Sequence, residues 1–338
     1  MTSPQDGSQC FTNPKYIENN VLVVAVSVTV GLGAAHAFLA NGTVFLAIVR
    51  TMLKDRCTQR GNSHNKNSYV TQLFMMSMSL SGVLSGAFVM PLVMSDVISN
   101  NSWTLGATLY KIRIAGDYLL YALTTIHITF MAIDTYILVC WPLIYRLLPA
   151  KTGYLMISIG WIVPVIIITT WCLQQNNLLQ CSQYNDKTNG VINFNVTFGS
   201  LLLVNYAGVS ILYLLVLKDI VRFRNRHLSG AKVTNSKDIF HRDDSESKVN
   251  LGMSKRKFRR NVKCFRFIGM VLLNVSICWL PTYCLLAVFK SPKIDLPGWA
   301  ILFINLWTYF SCCVNPYLYS SNKSIYLAVR NLICYEYI

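Results

Sequence analysis

Seven stretches of this chain are each long and apolar enough to cross a lipid bilayer, and that pattern leaves few folds open. They cover residues 21–49, 69–95, 108–141, 153–173, 193–221, 263–289 and 298–320. A spanning helix needs roughly 20 apolar residues to cross the hydrocarbon core. Membrane barrels use strands about half that length with alternating character, and these runs do not alternate. The expected fold is therefore all-α, a bundle of seven transmembrane helices. The third run is long and partly polar, so it is expected to project past the bilayer on the inner side. Only 13% of the residues are charged, against about 25% in soluble domains.

The net charge of +16 is not spread evenly. The connection from Lys218 to Arg266 carries half of all Lys and Arg, and the loop after the first run adds Lys54, Arg56, Arg60 and Lys66. Connections on the opposite side carry few. Basic residues cluster on the cytoplasmic side of membrane proteins. The charge is thus topogenic rather than a nucleic-acid surface. It puts the N-terminus outside and the C-terminus inside, as an odd number of spans requires. Lys15 and Glu18 precede a first run that is too long for a cleavable leader, so that run reads as an uncleaved anchor.

This gives an extracellular tail (residues 1–20), a seven-span domain (21–320) with a long cytoplasmic loop at about 222–262, and a cytoplasmic end (321–338). The long loop is rich in Lys, Arg, Ser and Asn and reads as flexible or partly helical. In the cytoplasmic end, Ile325, Leu327, Ala328 and Leu332 form an apolar stripe opposite Lys323 and Arg330, which predicts a short amphipathic helix on the membrane surface. Asn100-Asn101-Ser102 and Asn195-Val196-Thr197 are glycosylation sequons near the outer face. Cys10 and Cys181 lie on the oxidising side, where a disulfide can form; spacing alone does not pair them.

One acid stands inside the runs. Asp117 sits in Ala115-Gly116-Asp117-Tyr118-Leu119-Leu120-Tyr121, whereas Asp96, Asp134 and Asp219 fall at ends. A charge in hydrocarbon is costly and marks a function or a partner. Asp117 reads as a socket for a cation; the alternative is a structural pair with Arg113, one turn above. The spans contain no zinc motif, no Ser-His-Asp set and no phosphate loop, so neither an enzyme nor a cofactor is indicated. His36 and His127 read as packing residues rather than proton relays. Matching halves broken by Gly and Pro, expected of an inverted-repeat transporter, are not evident.

A set of motifs, about one per span, resembles the rhodopsin-like (class A) G-protein-coupled receptors. The motifs are Ala40-Asn41-Gly42, Met90-Pro91, Trp103 with Gly106, Asp134-Thr135-Tyr136 followed by Cys140-Trp141-Pro142, Trp161, Cys278-Trp279-Leu280-Pro281 and Asn315-Pro316-Tyr317-Leu318-Tyr319. Asp117 precedes Thr135 by 18 residues, five helical turns and about 27 Å, so both lie on one helix face. The resemblance makes Asp117 similar to the amine-anchoring aspartate of aminergic and trace-amine receptors, with Tyr309 as its hydroxyl partner. It implies a ligand site of Asp117, Tyr118, Tyr121, Thr197, Trp279, Tyr283 and Tyr309, with Phe198 and Leu201 at the ligand's far end. The fifth span offers no second acid, which favours a monoamine over a diamine. Asp134, Thr135, Tyr136, Tyr213, Asn315, Pro316 and Tyr319 become the switch and G-protein-facing set. The implied partners are a small amine, a heterotrimeric G protein, arrestin and the lipid bilayer of the plasma membrane.

The pattern also breaks. Gly82 stands at the family's sodium-site aspartate. Thr135 replaces the arginine that reaches the G protein. Tyr110 replaces the cysteine that staples the third span to the second outer loop, which leaves Cys10 as a substitute partner for Cys181. Asn205 replaces the fifth-span proline, and Val275 the switch phenylalanine below Trp279. Alternatives with the same fold are a divergent orphan or olfactory-type receptor for a non-amine ligand and a non-coupling decoy. Tyr309 stands where a retinal pigment carries its lysine.

Overall fold

Backbone groups in hydrocarbon must be bonded within the segment, so each apolar run closes into a helix. The computed structural model describes residues 15, 17–58, 66–100, 102–149, 151–174, 189–233, 244–285 and 297–334. Its helices are α1 (Asn20–Thr58), α2 (Lys66–Leu84), a π-helical turn (Ser85–Val89) leading directly into α3 (Met90–Ile98), α4 (Gly106–Cys140), α5 (Pro142–Leu147), α6 (Lys151–Gln174), α7 (Asn189–Val233), α8 (Asp244–Cys284), α9 (Gly298–Ser320) and α10 (Lys323–Cys334). Seven segments have membrane-crossing length and apolarity: Asn20–Lys54, Tyr69–Ile98, Thr108–Cys140, Lys151–Leu173, Val196–Arg222, Phe265–Cys284 and Gly298–Ser320. Each coincides with one of the seven apolar runs. The expected seven-helix bundle with a short amphipathic helix behind it is the fold found.

Helix α4 is the axis of the bundle. It packs against α2, α3, α6, α7 and α8. Its buried positions Tyr118, Tyr121, Thr125, Ile128, Ala132 and Thr135 recur every three or four residues along one face, the period of a helix that buries a stripe. The outward positions are apolar as well: Leu155, Ile159, Ile162 and Ile166 on α6 are exposed. Exposed apolar surface of that extent belongs in lipid.

Local chemistry explains the irregularities. Pro91 has no N–H, and the turn before it loosens until Met90 N–H bonds Ser85 O five residues back, a π-bulge. Gly86 sits in that bulge, where an added Cβ would lie 2.6 Å from Phe38 N and 2.7 Å from Ala34 O, so α1 meets the second span backbone to backbone. In α8, Pro281 deprives the Ile277 carbonyl of its helical partner. The Trp307 indole N–H of α9 donates to that carbonyl at 3.0 Å, on the outside of the bundle. At the end where α1 begins, called here the N-terminal face, Asn100 adopts φ 47°. Its amide donates to Ile17 O at 2.6 Å and accepts from Ile17 N at 3.1 Å. The sequon nitrogen of Asn100 is thus engaged in holding the tail. The Asn195 side chain, Cys10 and Cys181 lie outside the described residues.

Of the segment expected as a long, flexible or partly helical loop at about 222–262, the described residues are helical, because α7 continues to Val233 and α8 starts at Asp244. Asp96, expected at a run's end, lies in the last turns of the second span and is only 3% exposed.

Candidate functional site

Asp117 projects from α4 into the half of the bundle nearest the N-terminal face. Its carboxylate accepts a hydrogen bond from the Tyr309 hydroxyl of α9. The alternative structural pair does not form: Arg113 Nη2 lies 3.2 Å from Asp96 Oδ2. Asp117 is therefore held by a neutral hydroxyl, while the nearby guanidinium serves another acid.

Rings surround this acid. Tyr118 meets Tyr121, Trp171 and Phe198 edge-on, with centroids 6.3, 5.2 and 5.2 Å away. Tyr121, one turn below Asp117, meets Trp279 edge-on at 5.1 Å, and Trp279 lies 6.1 Å from Tyr283. Tyr118, Tyr121, Trp279, Tyr283 and Tyr309 are all buried. Polar bonds fix the rings. The Trp279 indole donates to Ser311 Oγ at 2.7 Å, and the Tyr283 and Thr125 hydroxyls are 2.5 Å apart. A carboxylate ringed by π-faces and hydroxyls suits an organic ammonium ion, which gains charge, hydrogen-bond and cation–π terms together.

Thr197 is not part of this cluster. It is exposed and shares a face with Leu201, Val204 and Ile211, all on the outer surface. Phe198, with Leu202, Val209 and Val216, forms the buried stripe of α7. Trp171 of α6 and the Asp96–Arg113 pair were not anticipated. Arg113 did carry a signal, standing four residues before Asp117 and hence on the same helix face.

On the opposite half, Asn315 Oδ1 accepts from Asn274 Nδ2 at 3.0 Å. Tyr213 stacks on Phe265 at 4.3 Å and lies over Gly269. Pro316 and Tyr319 are buried, with Tyr319 near Phe267 at 6.4 Å. Thr135 is 3% exposed, while Asp134 and Tyr136 beside it are partly buried.

Three of the departures from the family pattern, at Gly82, Tyr110 and Asn205, have a local replacement. An added Cβ on Gly82 would lie 2.5 Å from Asn41 Cγ, so the Asn41 side chain fills the space of the usual acid. Trp103 packs edge-on against Tyr110 at 5.6 Å and donates to Gly106 O at 2.7 Å, a ring contact where the family has a staple. Asn205 accepts from Thr129 at 2.6 Å, tying α7 to α4 without a proline. Val275 lines a cavity of about 10 Å³ with Ile128, Asn205 and Tyr283. His127 is fully satisfied: Nδ1 donates to Leu123 O at 2.7 Å, leaving Nε2 to accept from Ser77, 2.7 Å away. Ser77 in turn accepts from Trp161 at 2.8 Å.

The sequence profile of the "7 transmembrane receptor (rhodopsin family)" matches residues 57–319. The chain belongs to that family, and it is a multi-pass membrane receptor rather than an enzyme. Its relatives narrow the kinship. The octopamine receptor beta-2R of Chilo suppressalis is 22% identical over 315 residues, 86% of this chain and 77% of that receptor. The Homo sapiens trace amine-associated receptor 1 is 27% identical over 263 residues, 70% of each chain. The Homo sapiens 5-hydroxytryptamine receptor 4 is 24% identical over 336 residues, 94% of this chain and 80% of that one.

Proposed function

We propose that this receptor senses a small cationic amine from outside the cell and signals through a heterotrimeric G protein at the plasma membrane. The observation that carries the reading is the Asp117 carboxylate, bonded by Tyr309 and walled by buried rings, with no cation bonded to it among the described residues. Relatives named for octopamine, trace amines and 5-hydroxytryptamine support the ligand class. The ammonium binds Asp117, and the organic part contacts Tyr118, Tyr121, Tyr283 and Tyr309. Tyr121 passes that contact to Trp279, one turn from Pro281, and Trp279 is bonded to Ser311 of α9. The ligand thereby touches α4, α8 and α9 near two prolines, Pro281 and Pro316, that leave their helices free to pivot. It shifts the bundle only by binding one arrangement better than the other. In this reading residues 1–20 are extracellular, and residues 222–262 and 321–338 face the G protein and arrestin.

A non-coupling receptor with the same socket is the second reading, favoured by buried Thr135 at the arginine position. The test of the socket is a thermal-shift titration of purified receptor with 2-phenylethylamine. The intact chain is stabilised, and Asp117→Ala abolishes the shift while its own melting temperature stays near that of the parent. Equal shifts in both proteins would refute the amine site.

A further inference from the structure

Helix α9 turns Trp299, Phe303, Trp307, Phe310 and Tyr317 outward, each between 36% and 63% exposed. Steps of four, four, three and seven residues keep these rings on one helix face. Phe303 stacks on Trp307 at 5.8 Å, and Trp307 on Phe310 at 5.5 Å, with planes 26° and 16° apart. The large outward residues of α7 are aliphatic by contrast: Leu201, Val204, Ile211, Leu214 and Leu215. Aliphatic side chains are matched to acyl chains. Aromatic rings are the residues in which the buried cores of protein interfaces are enriched.

The height of the stripe decides what can cover it. Trp299 and Tyr317 are 18 residues apart, about 27 Å along the helix, against roughly 30 Å for the whole hydrocarbon core. A sterol or an acyl chain belongs to one leaflet and covers about half of that height. A second spanning helix covers all of it. Helix α9 has no charged side chain from Gly298 to Ser320, so the same face of another copy meets no like-charge repulsion. In a two-fold dimer each patch meets itself, and an axis along the bilayer normal sets every ring against its counterpart at equal depth.

Two observations add to this. At the end away from the N-terminal face, the Tyr317 ring stacks on His36 of α1 at 5.7 Å, with its hydroxyl 3.2 Å from His36 Nε2. That is a polar pair on an outward surface, and polar groups at membrane depth bond between helices. The exposed parts of the five rings amount to about 500 Å² per copy, from typical aromatic side-chain areas. Ile277 of α8, whose carbonyl Trp307 bonds, and Leu273 one turn away are exposed too. They extend the patch towards the roughly 800 Å² per partner of a specific interface.

We infer that this stripe is a homodimer interface, in which α9 of one copy packs ring on ring against α9 of a second copy. The surface lies apart from the Asp117 cluster and does not depend on the amine reading. In a single copy it faces acyl chains; association covers it.

The test uses full-length receptor fused at its C-terminus to a donor or an acceptor fluorescent protein. Both forms are reconstituted together in sterol-free phosphatidylcholine vesicles, and energy transfer is followed as added lipid dilutes the protein. The parent gives transfer that saturates with receptor density, as a dimer does. Phe303→Leu/Phe310→Leu removes two ring pairs across the axis, keeps the span apolar, and weakens association by about tenfold. The matched control Leu155→Ala/Ile162→Ala, also seven residues apart and on the outer face of α6, leaves association unchanged. A second readout keeps Phe303 and Phe310 in place: Trp299→Cys gives an intermolecular disulfide above the parent's background, and Ile162→Cys does not. A parent that stays monomeric at every density overturns the interface, as does equal association of the parent and the ring variant. If cholesterol abolishes the transfer and a photoreactive sterol labels α9, a lipid covers the stripe and the inference fails.

Discussion

Gly82→Ala is a substitution whose sign separates two accounts of the missing sodium-site acid. Alanine is the better helix former by about 1 kcal/mol, so an empty pocket at position 82 makes the change stabilising. Here the pocket is filled. The new Cβ would lie 2.5–2.7 Å from three side-chain atoms of Asn41, and Asn41 is fully buried. Asn41 Nδ2 donates to Ala37 O at 2.8 Å and to Cys312 O at 2.9 Å, joining α1 to α9. Moving the amide aside strains both bonds, each contributing about 1 kcal/mol. Overpacking adds about 1–3 kcal/mol. The expected net loss is about 2–4 kcal/mol, or about 5–10 °C in melting temperature on the scale of soluble domains. The assay is thermal unfolding of detergent-solubilised parent, Gly82→Ala, Asn41→Ala and the double variant. Gly82→Ala is harmful while Asn41 is present and neutral or helpful in the Asn41→Ala background, a coupling that a double-mutant cycle isolates. A stabilised Gly82→Ala protein would refute the account.

Two further outcomes are expected. Thr135→Arg restores the family's basic group and raises agonist-dependent G-protein activation at least severalfold in cells; unchanged signalling would mean that position 135 does not limit coupling. Trp307→Phe keeps an aromatic ring but leaves the Ile277 carbonyl without its indole donor. A cost of about 1–2 kcal/mol follows, read as a lower melting temperature in lipid nanodiscs, whereas an unchanged temperature would show the bond to be idle.

What the sequence disclosed tracks what local chemistry controls. Apolar length is a property of one segment, so the seven spans and the stripe of α10 were legible. The Asp117–Tyr309 pairing was legible because each residue sits at a fixed offset from a motif on its own helix. The direction of Thr197 was not legible, because it depends on the rotation of α7. With Asn205 in place of a proline, α7 is a regular helix whose buried stripe includes Phe198 and leaves Thr197 outside it. The burial of Asp96 was hidden because the π-bulge and a cation on another helix together decide it, and neither is a property of its own neighbourhood. The helical ends of α7 and α8 resemble loop in their polar composition, although Lys, Arg and Glu are good helix formers once a long helix is nucleated.

The Trp307 indole spans two helices at the one carbonyl in α8 that Pro281 leaves bare, on the perimeter that faces acyl chains. Any tilt of α8 about its proline must carry α9 along or surrender this hydrogen to a medium with nothing to offer in return. The hinge thus has a clasp on its outer side, and the hydrocarbon around it sets how tightly the clasp is shut.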